Sequence, residues 1–314
     1  MSARILIADK LANRAAEILG SSGHEVTTVT GMTEQELCHK IQGFDAIIVR
    51  SAVKVTKPVI DAADMLKVIG RAGTGVDNID VPAATKKGVV VMNVPGGNSL
   101  SAAEHTLAML FSVARMVPQA DASLRRGEWQ RSKFTGIEIT GKTLGILGFG
   151  RVGQIVADRA LGLKMRVLAF DPAVRSLFME SAGVEAANDL TALVSRSDFI
   201  SLHMSGGAAT KGIIGRDALA HCRPGAMLIN CARGDIVDEA ALAEALKEGR
   251  LAGAALDVFS SEPPIDSPLL GLPNVVMTPH LGASTLEAQE RVAIAIAEQV
   301  RDFLDTGRRY GCVN

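Results

Sequence analysis

Apolar residues fall in short, nearly unbroken runs along this chain, and most of the segments between them have helical length and helical spacing. In the N-terminal third the runs cover residues 4–8, 25–29, 46–49, 66–69 and 89–92, which predicts five strands. A second series starts at Thr143 and continues through 165–170, 199–202, 226–230 and 253–256. Runs that lack polar alternation are buried on both faces, and strands joined by helix-length connections lie parallel. The pattern therefore predicts an α/β chain of two doubly wound parallel-sheet domains with a cleft between them.

Between the two series, residues 98–126 read as one long helix. Ser99 and Ser101 stand near its start, Leu107, Leu110 and Phe111 lie on its apolar face, and Pro118 is expected to kink it. Residues 284–303 read as a second long amphipathic helix, with Val292, Ile294, Ile296 and Val300 as its apolar residues. If that helix returns to the first domain, the division is 1–97 plus 285–314 against 98–284, and the chain crosses between domains twice.

The stretch LGILGFGRVG from Leu144 to Gly153 gives the second domain a chemistry. It reads as strand, glycine turn and helix start. Gly148 allows the tight turn, Gly150 lets backbone approach a pyrophosphate, and Gly153 lets the helix pack on the sheet. Unpaired amides and the helix dipole then attract phosphate. The next strand ends in Asp171, whose carboxylate suits the two ribose hydroxyls of NAD and would repel a 2′-phosphate. NAD is the expected cofactor. Arg175 reads as a solvated helix residue.

Composition narrows the alternatives. The 314 residues carry 33 Lys plus Arg against 34 Asp plus Glu, a formal charge of −1 without long charged blocks, so nucleic acid is not an expected partner. The opening residues lack a secretory apolar region and no run has transmembrane length, so a cytoplasmic protein without membrane partner is expected. Cys38, Cys222, Cys231 and Cys312 show no metal-type spacing, so neither disulfide nor metal is expected, and Cys231 reads as a small buried apolar residue.

Three more loops follow strand-like runs, where ligands gather in open parallel sheets. Arg233, in CARGDIVDEAAL, offers a planar fork for a carboxylate. Glu262, in SSEPPIDSPLL, is stiffened by Pro263 and Pro264. His280, in VVMTPHLGAS, can take the proton of a secondary alcohol as hydride leaves its carbon, provided a carboxylate orients the ring, and Glu262 is the expected partner. Asp257, ending the strand in AGAALDVF, is a candidate acceptor for the nicotinamide amide.

GRAGTGVDNID from Gly70, NVPGGNSLSAAEHT from Asn93, RGEWQRSKFTGIEITGKTLGILGFGRVG from Arg126, NCARGDIVDE from Asn230 and PHLGASTLEAQ from Pro279 together resemble the NAD-dependent D-2-hydroxyacid dehydrogenases over nearly the whole chain. The resemblance implies a Rossmann-type NAD domain and a flavodoxin-like substrate domain. It makes Arg233 the carboxylate binder, Glu262 the partner and His280 the acid-base residue. It also assigns Thr74, Arg151, Val152, Met204, Ala232 and Gly282 to the cofactor, and Arg50, Ser51, Lys54, Arg71, Gly73 and Asn98 to the substrate. Arg131, with Lys133, would reach the substrate from a neighbouring copy. Arg50, Lys54 and Arg71 suit a phosphorylated 2-hydroxy acid. The implied reaction is oxidation of 3-phospho-D-glycerate to 3-phosphooxypyruvate, the first step of L-serine synthesis, in a homodimer or higher homo-oligomer paired through the helix from Asn98.

Two departures from the family pattern stand out. Ser205, Gly206 and Gly207 occupy a loop where the family often has proline and threonine, so a less stiff cofactor loop and weaker NAD binding are expected. The chain ends at GCVN, as expected for a core without C-terminal regulatory domains. Rival readings are a reductase of glyoxylate, hydroxypyruvate or another short keto acid, and an NAD-binding corepressor, which would carry disordered tails.

Overall fold

The computed structural model describes residues 2–314 and divides into two compact units. The first contains the residues up to Asn98 together with Ala283–Asn314, and the second is Ser99–Gly282.

The first unit opens with β1 (Arg4–Ile7), α1 (Asn13–Ser21), β2 (Glu25–Thr28), α2 (Glu34–Lys40), β3 (Ala46–Val49), α3 (Lys57–Ala62), β4 (Val68–Arg71), α4 (Val81–Lys87) and β5 (Val90–Met92). The strands form a five-stranded parallel sheet in the order β2-β1-β3-β4-β5, the flavodoxin-like order. β3 is buried at every position, as its unbroken AIIV predicts. The fourth strand lies two residues later than the apolar run suggests, so Arg71 ends it.

The second unit begins with α5 (Ser99–Arg115) and α6 (Val117–Arg125), then β6 (Thr143–Leu147), α7 (Arg151–Gly162), β7 (Arg166–Phe170), α8 (Ser176–Ser181), β8 (Glu185–Ala186), α9 (Leu190–Arg196), β9 (Phe199–Leu202), α10 (Arg216–His221), β10 (Ala226–Asn230), α11 (Glu239–Lys247), β11 (Leu251–Leu256) and β12 (Val275–Met277). Its seven strands run parallel in the order β12-β11-β10-β9-β6-β7-β8. The order reverses between β6 and β9, and ligands of such sheets bind beyond the carboxyl ends of the strands at that switch. The glycine turn after β6 and the loops after β9, β10, β11 and β12 lie at those ends.

The last helix, α12 (Leu286–Thr306), belongs to the first unit. Its Val292, Ile296 and Val300 pack with Ile5, Ile48, Val68 and Met92. Gly70 makes room for it, because a Cβ there would lie 2.8 Å from Val300 and 3.0 Å from Ile296.

The long helix expected over 98–126 is two helices. Met116, with φ of 51°, takes the left-handed conformation between α5 and α6, and Pro118 sits in the first turn of α6 rather than kinking a continuous helix. Strand β8, too short to register as an apolar run, and β12, the short run VVM ahead of the His280 loop, complete the second sheet. Among the described residues no helix is long and apolar enough to cross a membrane.

Candidate active site

The glycine turn has the geometry that nucleotide phosphates require. Gly148 has φ of 94°, and a Cβ on it would meet the backbone between His203 and Met204 at 2.8–2.9 Å. A Cβ on Gly153 would stand 2.3 Å from the Gly148 carbonyl oxygen, so this residue seats α7 against the turn. Gly150 caps α7 without a side-chain hydrogen bond, and a Cβ there would enter open space. That opening lies at a helix N-terminus whose first amides have no intrahelical partner, which suits a pyrophosphate. Arg151 is exposed and Val152 half-buried in the first turn of that helix.

Asp171 also shapes this turn. Its Oδ2 accepts the Phe149 N–H at 2.8 Å and its Oδ1 the Ala173 N–H at 2.9 Å. Each carboxylate oxygen has a second acceptor site, so the group can still receive ribose hydroxyls. The loop after β9 is firmer than its glycines suggest. Asp235 Oδ2 accepts the Gly207 N–H at 3.0 Å, the Thr210 hydroxyl donates to the Ser205 carbonyl at 2.7 Å, and a Cβ on Gly206 would meet Asp235 Oδ1 at 2.5 Å. The expected loss of stiffness at Ser205-Gly206-Gly207 is therefore offset by a carboxylate the sequence did not single out. Met204, half-buried, packs on the core beneath the loop.

Arg233, Glu262 and His280 leave β10, β11 and β12 on neighbouring loops that lock together. The Asn230 side chain donates to the Arg233 carbonyl at 2.9 Å and accepts the Ala232 N–H at 3.0 Å, which shapes the first loop. Gly234 presses on the second: a Cβ on it would lie 1.9 Å from the Phe259 carbonyl. Phe259 in turn donates its N–H to Glu262 Oε1 at 3.3 Å, and Glu262 Oε2 faces His280 Nδ1 at 2.8 Å. His280 itself has φ of 55° and donates its N–H to the Asp257 carbonyl at 2.9 Å.

The electrostatics follow from these contacts. The hydrogen bond that His280 donates to Glu262 raises the His280 pKa, burial opposes it, and the charges of Glu262 and Asp257 add to the rise while that of Arg233 lowers it. Burial pushes the Glu262 carboxyl up, but the His280 hydrogen bond and charge outweigh it and leave the carboxyl below its ordinary value. Both side chains remain about half exposed, His280 at 47% and Glu262 at 40%, so each can be reached by a ligand. A cavity of about 440 Å³, lined by Phe259, Pro263, Leu270, Met277 and Pro279, adjoins the pair.

Asp257 is fully buried and holds the end of the β12 loop: its Oδ2 accepts the Gly282 N–H at 2.8 Å and its Oδ1 the Leu281 N–H at 2.7 Å. Burial and the Asp257 charge push the neighbouring Cys231 thiol up to about 12. The thiol therefore stays protonated, as fits a packing residue. Desolvation pushes the half-buried His203 down to about 4, so it stays neutral, with Nε2 2.8 Å from the Ser201 hydroxyl.

In the first unit, Arg50, Ser51 and Lys54 sit on the loop after β3. Asp9, which the sequence reading missed, organises that loop from the end of β1: its Oδ2 accepts the N–H groups of Arg50, Ala52 and Val53 at 3.0–3.2 Å. Asn78 completes it by donating to the Arg50 and Val53 carbonyls. Asp9 lies at the reversal of strand order between β1 and β3, and the pattern of a strand followed by Asp was the available signal. The Arg71 guanidinium lies under Gly73, where a Cβ would meet Nη1 at 1.7 Å. Thr74 donates its hydroxyl to Asn98 Oδ1 at 2.6 Å. Arg131 and Lys133 are exposed on the second unit's short 3-10 turn, Arg131–Phe134.

Residues 107–282 match the NAD binding domain of the D-isomer specific 2-hydroxyacid dehydrogenases, and the chain belongs to that family. The second unit is thus the family's NAD-binding domain. The D-3-phosphoglycerate dehydrogenase of Methanocaldococcus jannaschii is 51% identical over 301 residues, covering 96% of this chain and 57% of that protein. The chain therefore spans little more than half the length of that relative. Of solved structures, the TT0316 protein from Thermus thermophilus superposes with a TM-score of 0.90 at 36% identity, covering 99% of this chain and 100% of that one. The NAD+-bound 3-phosphoglycerate dehydrogenase of Entamoeba histolytica gives 0.85 at 30% identity, covering 100% and 99%.

Proposed function

We propose that this chain oxidises the C2 hydroxyl of 3-phospho-D-glycerate with NAD, yielding 3-phosphooxypyruvate. The observation that carries the reading is the 2.8 Å contact between Glu262 and His280 in an NAD-binding domain of this family. Similarity to the D-3-phosphoglycerate dehydrogenase from Methanocaldococcus jannaschii supports the choice of substrate.

Glu262 accepts the Nδ1 hydrogen of His280, so the free Nε2 is the base that takes the hydroxyl proton. When bound, NAD supplies the hydride acceptor. As the proton leaves, Glu262 stabilises the imidazolium that forms. The Arg233 guanidinium holds the substrate carboxylate through paired N–H donors. Over the turn that Gly148 allows, the backbone amides of Gly150, Arg151, Val152 and Gly153 would hold the pyrophosphate, Asp171 would hold the ribose, and Met204, Ala232 and Gly282 would line the remaining cofactor surface of this unit. Arg50, Lys54 and Arg71, with Ser51, Gly73 and Asn98, serve the substrate phosphate and backbone, and Arg131 serves a neighbouring copy. A homodimer fits the exposure of Phe111, Val117, Leu124 and Trp129 along and after α5 and α6.

The test is NADH formation with 3-phosphoglycerate, set against NADH consumption with glyoxylate and hydroxypyruvate. Two charge-assisted contacts to phosphate predict a kcat/KM preference of at least about 100-fold for the phosphorylated acid. Equal or better turnover of the unphosphorylated acids would replace this reading with a short-chain keto acid reductase.

A further inference from the structure

The mechanism above leaves one polar cluster without a task. His105 of α5 reaches the back of the loop that carries His280, and its Nε2 stands 3.1 Å from Thr278 Oγ1 and 3.2 Å from Asp257 Oδ1. The Thr278 hydroxyl has a single hydrogen, which it donates to Asp257 Oδ1 at 2.6 Å. Thr278 is therefore an acceptor toward His105, and His105 carries hydrogen on Nε2. One turn earlier on α5, Ser101 donates to the Gly282 carbonyl at 2.8 Å. The helix thus grips both ends of the stretch from Thr278 to Gly282. His280 lies in the middle of that stretch with φ of 55°, a left-handed backbone conformation uncommon outside glycine.

The trio His105, Cys231 and Asp257 has its potential ligand atoms within 4.8 Å of one another, but its chemistry is that of a hydrogen-bonded support. The Asp257 oxygens are occupied by Thr278, Leu281, Gly282 and His105, and the thiol stays protonated.

We propose that His105 is a positioning residue: by bridging Thr278 and Asp257 it holds the β12 loop in the turn that presents His280 to Glu262. The turnover arm of its test rests on the oxidoreductase reading given above, and the titration arm does not. Charged and titratable groups facing His280 are Glu262, Asp257 and Arg233, while those facing His105 are Asp257 and Cys231.

The experiment compares His105→Leu, His105→Gln and Thr278→Val with the unaltered chain, reading steady-state turnover, NADH affinity and the NMR titration of the His280 ring. Loosening the loop lengthens the Glu262 contact, so in His105→Leu the His280 titration moves down by at least about half a pH unit. Turnover falls at least about tenfold while NADH affinity stays within about twofold, the effect of misplacing a base rather than losing the cofactor. Thr278→Val reproduces both changes, and His105→Gln, which keeps an N–H donor, largely restores them. An unmoved His280 titration in both His105→Leu and Thr278→Val overturns the proposal. So does a glutamine variant as impaired as the leucine one. An unaltered chain without turnover but with the titration shift keeps the positioning role and removes the oxidoreductase reading; normal turnover insensitive to both cuts does the reverse.

Discussion

Oε2 of Glu262 and Nδ1 of His280 share a hydrogen bond of 2.8 Å, which fixes the tautomer of the ring and points its other nitrogen away from the carboxylate. Because this contact raises the His280 pKa above 6.5, oxidation of the hydroxy acid should increase with pH through an apparent pKa above 6.5, since the base must be neutral. Glu262→Gln should move that limb down and lower kcat by roughly 10²-fold. The pair's contribution to stability has two edges. Glu262, depressed below 4.5, contributes fully above that value and loses its contribution as pH falls through its folded pKa. His280, raised, contributes fully below 6.5 and loses it as pH rises through its folded pKa. Rate profiles and denaturation midpoints measured from about pH 3 to about pH 10 would reveal both edges; a limb unmoved by Glu262→Gln would contradict the assignment.

Removing the ring should separate chemistry from cofactor binding. His280→Ala is expected to lower kcat by about 10²- to 10⁴-fold and leave NADH affinity within about twofold. Arg233→Ala should weaken substrate binding and rate together, because a carboxylate held by a guanidinium fork is lost. Steady-state kinetics with NADH fluorescence titration distinguishes the two variants, and an Arg233→Ala enzyme altered only in cofactor affinity would remove the carboxylate role.

The glycines of the nucleotide turn should respond differently to the same added methyl group. At Gly150 the methyl enters open space, so Gly150→Ala should melt within a few degrees of the unaltered chain yet bind NADH at least about tenfold more weakly. At Gly153 it would collide with the Gly148 carbonyl at 2.3 Å, so Gly153→Ala should lose both stability and binding. Thermal melts with and without NADH would show the contrast, and unchanged NADH binding in Gly150→Ala would mean that phosphates lie elsewhere.

Asp235 is expected to tune cofactor binding through the glycine loop. Its carboxylate holds the Gly207 amide, so Asp235→Ala should free residues 205–210 and raise KM for NAD several-fold with kcat kept within about twofold. Hydrogen exchange on that loop, measured beside the kinetics, should quicken. A variant with protected amides and unchanged KM would show that Thr210 alone secures the loop.

Much of the architecture is visible in the residue pattern because parallel strands buried on both faces cannot hide their composition. AIIV at 46–49 and AMLIN at 226–230 are buried at every position. Arg233, Glu262 and His280 are recognisable by residue type and by following such runs. What escaped the pattern depended on partners distant in sequence. Asp9, Asp235 and His105 each resemble an ordinary solvated polar residue until the fold brings amides or hydroxyls to them. The division of the helix at Met116 was hidden for another reason. Methionine is a good helix former, and the only local cue, Pro118, is as acceptable in a first helical turn as at a kink.

The route of the chain through α12 has a consequence for biosynthesis. The residues of the second unit are contiguous and precede the final helix, so the whole of that unit emerges from the ribosome before the final helix does. The earlier-made sheet must wait, with Ile5, Ile48, Val68 and Met92 uncovered on the side that Val292, Ile296 and Val300 later close. In nascent chains, protease resistance should therefore emerge first in the middle of the polypeptide and only afterwards at its beginning.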